Sequence, residues 1–502
     1  VGQGKVFATG SAPVVKPAPV VSNRSLWAIF LGGFIGGLLA LLTPCVFPMI
    51  PLTVSFFTKR SKTRASGIHN ALIYALSIIV IYVSLGLIIT LALDPDALNA
   101  LSSNSIINLV FFIIFVVFAI SFFGAFEITF PSKCFNASDR ASDRGGLTGI
   151  FFMAFTLALV SFSCTGPIIG SLLVQVAVNG SIFGLAVGMT GFALALALPF
   201  ALFAAFPGWL NSLPQSGGWL NSIKVSLGFI ELALSLKFLS AADMVYHWGF
   251  LTREVFLAIW IAIFALFGLY LIGKIRLPHD DSQGSTSVSR LLSSIVVFAF
   301  VVYLVPGLWG APLKFISGFP PPSFYSEGWT FAAQTGNVNQ AVTPVLSDHE
   351  FRCPLNLNCF HDYDEGMAYA RKVNKPVMLD FTGWSCINCR KMEDNVWQDN
   401  AVLRLLSNDF ILISLYVDYK TQLPVSAQYI SKVTRHKVKK LGNKWSDFQT
   451  SHFHANSQAY YVLMDFNGNQ VAPVQSYDTS IQHYVNFLNT GLKHFRAIHP
   501  VG

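Results

Sequence analysis

Seven cysteines are the residues whose type and spacing offer chemistry in this chain of 502 residues. Two form Cys386-Ile387-Asn388-Cys389, shortly after an apolar run, Val377-Met378-Leu379-Asp380-Phe381, that reads as a strand. A C-x-x-C opening a helix puts its first sulfur beside the positive end of the helix dipole and free backbone N–H groups, which favour the thiolate. Cys386 is then the attacking sulfur and Cys389 the resolving one of a dithiol–disulfide exchange site. A zinc site would need two further ligands. His452 and His454 are on offer, but an H-x-H in a polar loop reads as surface, so no metal is assigned.

Two more cysteines recur in matching surroundings, each followed three residues later by proline: Cys45-Val46-Phe47-Pro48 and Cys164-Thr165-Gly166-Pro167, 119 residues apart. Both lie in apolar stretches, and Pro44 and Pro51 break the first one further. Exchange needs a thiolate, and a charge in hydrocarbon costs at least a few kcal/mol, so such a cysteine must face protein or a water-filled cavity. Broken backbone is tolerated in the same places. Cys45 and Cys164 can pair only if their two segments pack together at mid-depth, because a disulfide needs Cα atoms within about 4.4–6.8 Å.

The elements that must position these groups follow from the charge distribution. Charged residues are 12% of the chain and hydrophobic ones 53%, which excludes an ordinary soluble globule and a disordered chain. Residues 1–310 hold 26 charges and residues 311–502 hold 32, so a membrane part precedes a soluble part. No charge occurs between Arg24 and Lys59 or between Arg144 and Lys224. Since a helix needs about 20 apolar residues to cross the bilayer, eight spans are expected, at 26–57, 68–93, 106–126, 147–178, 181–206, 222–241, 255–272 and 290–309. The first and fourth exceed the bilayer thickness as straight helices, hence tilt or break, and these carry the two cysteines. Two three-span units with matching broken helices are the signature of an inverted repeat. Gly32-Gly33 and Gly36-Gly37 in the first span predict close helix contact.

Loop charge sets the orientation. Lys59, Arg60, Lys62 and Arg64 mark the first loop as cytoplasmic, Asp94 and Asp96 the second as external, and Lys274, Arg276 and Arg290 mark a later cytoplasmic loop. Both the N-terminus and residues 311–502 are then outside. The expected domains are an extracytoplasmic tether (1–25), a transmembrane domain (26–310), a Pro/Gly/Ser-rich linker (311–347) and an α/β domain (348–502). In the last, a helix near 363–374, strands at 377–381, 410–417, 460–464 and 470–476, and a helix over 480–496 are expected around the C-x-x-C.

With both motif sets in view, the chain resembles the DsbD family of transmembrane thiol:disulfide interchange proteins, its membrane part resembling the CcdA proteins. The membrane resemblance rests on Thr43-Pro44-Cys45-Val46-Phe47-Pro48 and Ser163-Cys164-Thr165-Gly166-Pro167. The soluble one rests on Asp380-Phe381-Thr382-Gly383-Trp384-Ser385-Cys386-Ile387-Asn388-Cys389-Arg390-Lys391-Met392-Glu393. The resemblance implies a multi-span α-helical domain with inverted three-helix repeats, followed by a C-terminal α/β thioredoxin-like domain. It implies a protein-disulfide reductase of the bacterial inner membrane, connected with cytochrome c biogenesis. Cytoplasmic thioredoxin, fed ultimately by NADPH, would reduce Cys45/Cys164, which would reduce Cys386/Cys389 on the periplasmic side. No bound cofactor is implied. The implied partners are thioredoxin, periplasmic thiol–disulfide proteins or a DsbD N-terminal-type domain, and the lipid bilayer. That N-terminal domain is expected upstream of Val1 or in another protein. The competing readings are a small-solute transporter with a tethered thioredoxin-like regulator, and an oxidase running the electrons in reverse.

Two acids follow from the same resemblance: Asp380, six residues before Cys386, and Glu393, one helical turn after Cys389, in positions to manage the proton of a thiol. The family's cis-proline position falls on Ala459, where a trans peptide is expected because a non-proline cis bond costs about 2.5–4 kcal/mol. Cys353 and Cys359 are expected to form a structural disulfide on the oxidising side, with a regulatory or relay pair as the alternative, and Cys134 to be incidental. Glu231, an acid deep within a span, is read as hydrogen-bonded packing, with service to the membrane cysteines as the sharper alternative. The basic run Lys432, Arg435, Lys437, Lys439, Lys440 and Lys444 reads as a solvated face. The net charge of +8 follows membrane topology and gives no sign of nucleic acid.

Overall fold

In the membrane part, long uncharged runs fold as helices because hydrocarbon leaves no other partner for the backbone. The computed structural model describes residues 26–41, 64–92, 104–125, 154, 182–205, 218–277, 287–326, 353–433, 435 and 437–500. Cys45, Cys164, Cys134, Pro44, Pro48, Pro51 and Pro167 lie outside the described residues, as does nearly all of the expected fourth span. The described residues fall into two compact units, 26–313 with 319–326, and 353–500 with 314–318.

The first unit is helical: α1 (Leu26–Leu41), α2 (Arg64–Ala92), α3 (Ser105–Phe122), α4 (Ile182–Ala205), α5 (Gly218–Tyr246), α6 (Arg253–Ile272) and α7 (Val288–Leu304). Among the described residues, four helical stretches are long and apolar enough to cross a membrane: Ser105–Phe122, Asn221–Tyr246, Arg253–Ile272 and Val288–Trp309. Helices α1 and α2 both pack on α4, α3 packs on α5, and α6 packs on α5 and α7. Glycine makes the α1–α4 contact possible. A Cβ at Gly37 would lie 2.5 Å from the Phe192 carbonyl oxygen, and one at Gly191 would lie 2.5 Å from that of Phe30. A Cβ at Gly33 would run into the Gly188 carbonyl, whereas one at Gly32 would meet nothing within 4 Å. The small-residue spacing thus serves close approach through Gly33 and Gly37. Glu231 on α5 is 2% exposed, and its Oε2 has no hydrogen-bond partner among the described residues.

The second unit is α/β. Its sheet has the order β1 (Cys359–Phe360), β3 (Ile411–Tyr416), β2 (Val377–Thr382), β6 (Tyr460–Met464) and β7 (Gln475–Ser476). β1 and β2 run parallel to β3, and β6 is antiparallel to both β2 and β7. A separate ribbon pairs β4 (Tyr429–Ile430) with β5 (Lys437–Val438). The helices are α8 (Tyr363–Val373), α9 (Ile387–Met392), α10 (Asn400–Asn408), α11 (Leu441–Phe453) and α12 (Ile481–Ile498). β2 is buried at every residue, which is why it reads as a continuous apolar run.

Side chains alternate across β2 and divide the core in two. Val377, Leu379 and Phe381 join Met367 of α8 and Trp445 of α11 in one cluster. Met378 joins Cys389 and Met392 of α9, Leu406 of α10 and Tyr484 of α12 in the other. Asp380 therefore projects from the Met378 face, toward the layer that carries the C-x-x-C. α12 buries Tyr484, Phe487, Leu488, Gly491, Leu492 and Phe495, a stripe at helical spacing. The strand expected over 470–476 reduces to a bridge at Gln470 and the short β7, while α10, α11 and the β4–β5 ribbon come in addition to the expected elements. Of the basic run, Lys432, Arg435, Lys437 and Lys439 are exposed, whereas Lys444 sits 3.7 Å from Asp362 and 4.2 Å from the Trp445 ring centroid.

Candidate functional site

The site begins where β2 ends. Gly383, Trp384 and Ser385 turn the chain from Thr382 into α9, and Cys386 caps that helix with its Sγ accepting the Cys389 N–H at 3.1 Å. Cys386 and Cys389 are joined as a disulfide with Cα atoms 5.3 Å apart. Cys386 is 7% exposed and Cys389 1%, so the first cysteine is the more accessible residue of the pair. Beyond Met392 the helix widens into a π-helical turn, Glu393–Trp397, a feature found often at functional sites.

Asp418, which no sequence motif marks, fixes the turn. Its carboxylate accepts the backbone N–H of Trp384 at 2.9 Å, the N–H of Ser385 at 3.1 Å and the Ser385 hydroxyl at 3.1 Å. The Trp384 ring stacks on Tyr416 with centroids 4.8 Å apart. A Cβ at Gly383 would lie 2.8 Å from Gln458 Oε1 and 2.9 Å from Asp418 Oδ2, so a larger residue there would push against the carboxylate that holds the turn. The neighbouring Ala459 is fully buried with φ +58°, and no cis peptide occurs among the described residues. The backbone here takes a left-handed turn that side chains disfavour, held in part by Gln449, whose Nε2 donates to the Ser457 carbonyl at 2.8 Å.

Behind the disulfide lies a buried ionisable group. Asp380, Arg390 and Glu393 are 3%, 3% and 6% exposed. Arg390 Nη2 lies 2.7 Å from Glu393 Oε1 and donates to Thr382 Oγ1 at 3.4 Å, while the Ser414 hydroxyl donates to Asp380 at 3.2 Å. Burial pushes the Asp380 carboxyl up to about 7, against the pull of Arg390 and of the Ser414 hydroxyl. Burial likewise pushes Glu393 up to about 8; Arg390 opposes this, and Asp380 and Asp394 reinforce it. The structure thus brings Asp380 and Glu393 into one electrostatic group through Arg390, a residue to which its place in the sequence assigns no role. Both acids exchange protons near neutral pH, where a thiol gains or loses one during exchange.

Elsewhere in the same core face, Cys353 and Cys359 are joined by a disulfide with Cα atoms 6.2 Å apart. His452 and His454 stand at the end of α11; the His452 ring lies against Phe448 with centroids 4.3 Å apart.

Comparison with known proteins agrees with this geometry. The family described as cytochrome C biogenesis protein transmembrane domain matches residues 26–242, and the family described as thioredoxin-like matches residues 358–431. The thiol:disulfide interchange protein DsbD of Vibrio vulnificus is 27% identical over 420 residues, 81% of this chain and 62% of that protein. The DsbD proteins of Salmonella typhi (26% identical, 80% of this chain, 63% of that protein) and Ralstonia nicotianae (25%, 76% and 58%) are similar in the same way. The chain spans about three-fifths of the length of these relatives. Through both its membrane-spanning helical part and its thioredoxin-like domain, the chain is similar to the DsbD thiol:disulfide interchange proteins.

Proposed function

We propose that this chain is a transmembrane protein-disulfide reductase. The observation that carries the reading is the Cys386–Cys389 disulfide at the head of α9, backed by Asp380, Arg390 and Glu393, in a chain that also has helices long and apolar enough to cross a membrane. The first exchange takes two electrons from the dithiol of cytoplasmic thioredoxin, itself fed from NADPH, and reduces a Cys45–Cys164 disulfide to two thiols. A thiolate of that pair then attacks the Cys386–Cys389 disulfide, and its partner resolves the mixed disulfide. Two electrons arrive at the outer domain, and two protons complete the new thiols.

In the third exchange Cys386 attacks a client disulfide and Cys389 releases the reduced client. Asp380 and Glu393 supply and receive the proton of Cys389. Clients are periplasmic thiol–disulfide proteins or a DsbD N-terminal-type domain, and the thioredoxin-like domain stands on the periplasmic side of the bacterial inner membrane. The pairwise packing of the second span on the fifth (α2 on α4) and the third on the sixth (α3 on α5) supports two repeats facing each other. Pro44, Pro48, Pro51 and Pro167 would break the helices around the membrane pair and admit water.

The test is the redox state of Cys386/Cys389 in cells, read by thiol alkylation. The relay requires the pair to be reduced in the wild type and to accumulate as disulfide in Cys164→Ser. A pair that stays reduced in that variant refutes the relay and leaves room for a transporter with a tethered regulator.

A further inference from the structure

The Cys353–Cys359 pair has a third neighbour that a purely structural disulfide does not need. Register places it: Cys359 of β1 pairs with Leu412 of β3, so Cys359 and, two residues on, His361 lie on one face of the sheet edge. His361 Nε2 lies 3.7 Å from Cys359 Sγ and 3.9 Å from Cys353 Sγ. The other ring nitrogen, Nδ1, is 3.3 Å from the Ser414 carbonyl oxygen. A carbonyl can only accept, so Nδ1 carries the proton and Nε2 turns its lone pair toward the two sulfurs. A backbone carbonyl holding the far nitrogen in this way is the usual outer support of a metal-binding histidine.

We propose that Cys353, Cys359 and His361 form a redox-gated site for a thiophilic divalent cation of the zinc type. Oxidised, the two sulfurs bond to each other and no cation site exists. A dithiol transfers two electrons and two protons to the Cys353–Cys359 disulfide and is itself oxidised to a disulfide. The cation then binds both sulfurs as thiolates, the two thiol protons leave to solvent, and His361 Nε2 supplies the third ligand.

The separations suit this set. With metal–sulfur and metal–nitrogen bonds of about 2.3 and 2.05 Å, tetrahedral geometry puts sulfur and nitrogen about 3.6 Å apart, close to the distances already present. The three ligand atoms lie within 4.8 Å of one another. Only the sulfurs must separate, to about 3.8 Å for the same geometry. Both cysteines are buried and His361 is half-buried, and the set of three leaves a fourth position to be filled by water or by a ligand from another residue or molecule. Two thiolates and an imidazole select zinc-type ions over calcium or magnesium.

The experiment uses the full-length chain in detergent, reduced anaerobically with dithiothreitol, freed of it and titrated with Co(II). The wild type should take up one more equivalent, with thiolate-to-cobalt charge-transfer absorption, than Cys353→Ser/Cys359→Ser, and Zn(II) should displace it. Without reduction the difference should vanish. His361→Ala should weaken Zn(II) binding to the pair at least about tenfold, the loss that even supporting residues of zinc sites produce. A measurement on the unaltered sequence removes any dependence on the variants: Zn(II) should protect Cys353 and Cys359 of the reduced wild type from iodoacetamide. Equal cobalt uptake by wild type and variant, uptake independent of reduction, or alkylation unaffected by Zn(II) would overturn the proposal.

Discussion

Asp380 and Glu393 hold their protons far above the ordinary carboxylate range, to about pH 7 and 8, because burial costs their anions more than Arg390 returns. An acid whose folded pKa exceeds its unfolded one binds more protons folded than unfolded at intermediate pH, so stability falls as pH rises between the two values. The thioredoxin-like domain should lose stability from about pH 4 to about pH 8 through these groups, with the loss complete above the higher value. Thermal unfolding of the detergent-solubilised chain across that range should show a falling Tm in the wild type and a flatter course in Asp380→Asn/Glu393→Gln. Parallel curves would remove the buried acids from the balance. At this scale the sequence exposes both cysteines through the C-x-x-C, and both acids through the family resemblance that gives their offsets from it a meaning. It hides Asp418 and His361, because what Asp418 does depends on β3 lying beside β2, and what His361 does on β1 lying beside β3.

Among elements, the α1–α4 contact gives the sharpest expectation. Replacing Gly37 by leucine forces a side chain into the Phe192 carbonyl and the Ala195 methyl, 2.5 and 2.8 Å from where its Cβ would stand. Overpacking of this kind costs about 1–3 kcal/mol, and resistance of the detergent-solubilised chain to denaturant should drop accordingly. Gly32→Leu is the control, since its Cβ position is open, and equal losses in the two variants would place the contact elsewhere. The strands Val377–Thr382, Ile411–Tyr416 and Tyr460–Met464 are legible from their apolar runs. β1, β4, β5 and β7 have two residues each and owe their existence to backbone pairing across the chain, which leaves no local pattern. α11 escapes notice for a different reason: its first turn carries Gly442, whose Cβ position lies 2.6 Å from Val417 O, so the helix owes its place to backbone contact.

For the whole molecule, the uneven distribution of charge is enough by itself to separate membrane helices from the α/β domain, and α2 to α7 coincide with expected spans to within a few residues. The sides of the membrane rest on loop charges alone. A membrane-impermeant maleimide applied to intact cells after mild reduction should label Cys386, and labelling only after lysis would put the thioredoxin-like domain in the cytoplasm. If that domain stands outside, its Asp380–Arg390–Glu393 group is in proton equilibrium with the medium on that side of the membrane. Reduction of a disulfide to two neutral thiols lowers its midpoint potential by about 59 mV per pH unit, and to one thiol and one thiolate by about 30 mV. Carboxyls that exchange protons near pH 7 and 8 change how many protons accompany the electrons to the extent that reduction of the disulfide shifts those values. The driving force at the outer end of the path thereby becomes a reading of the acidity of the surroundings.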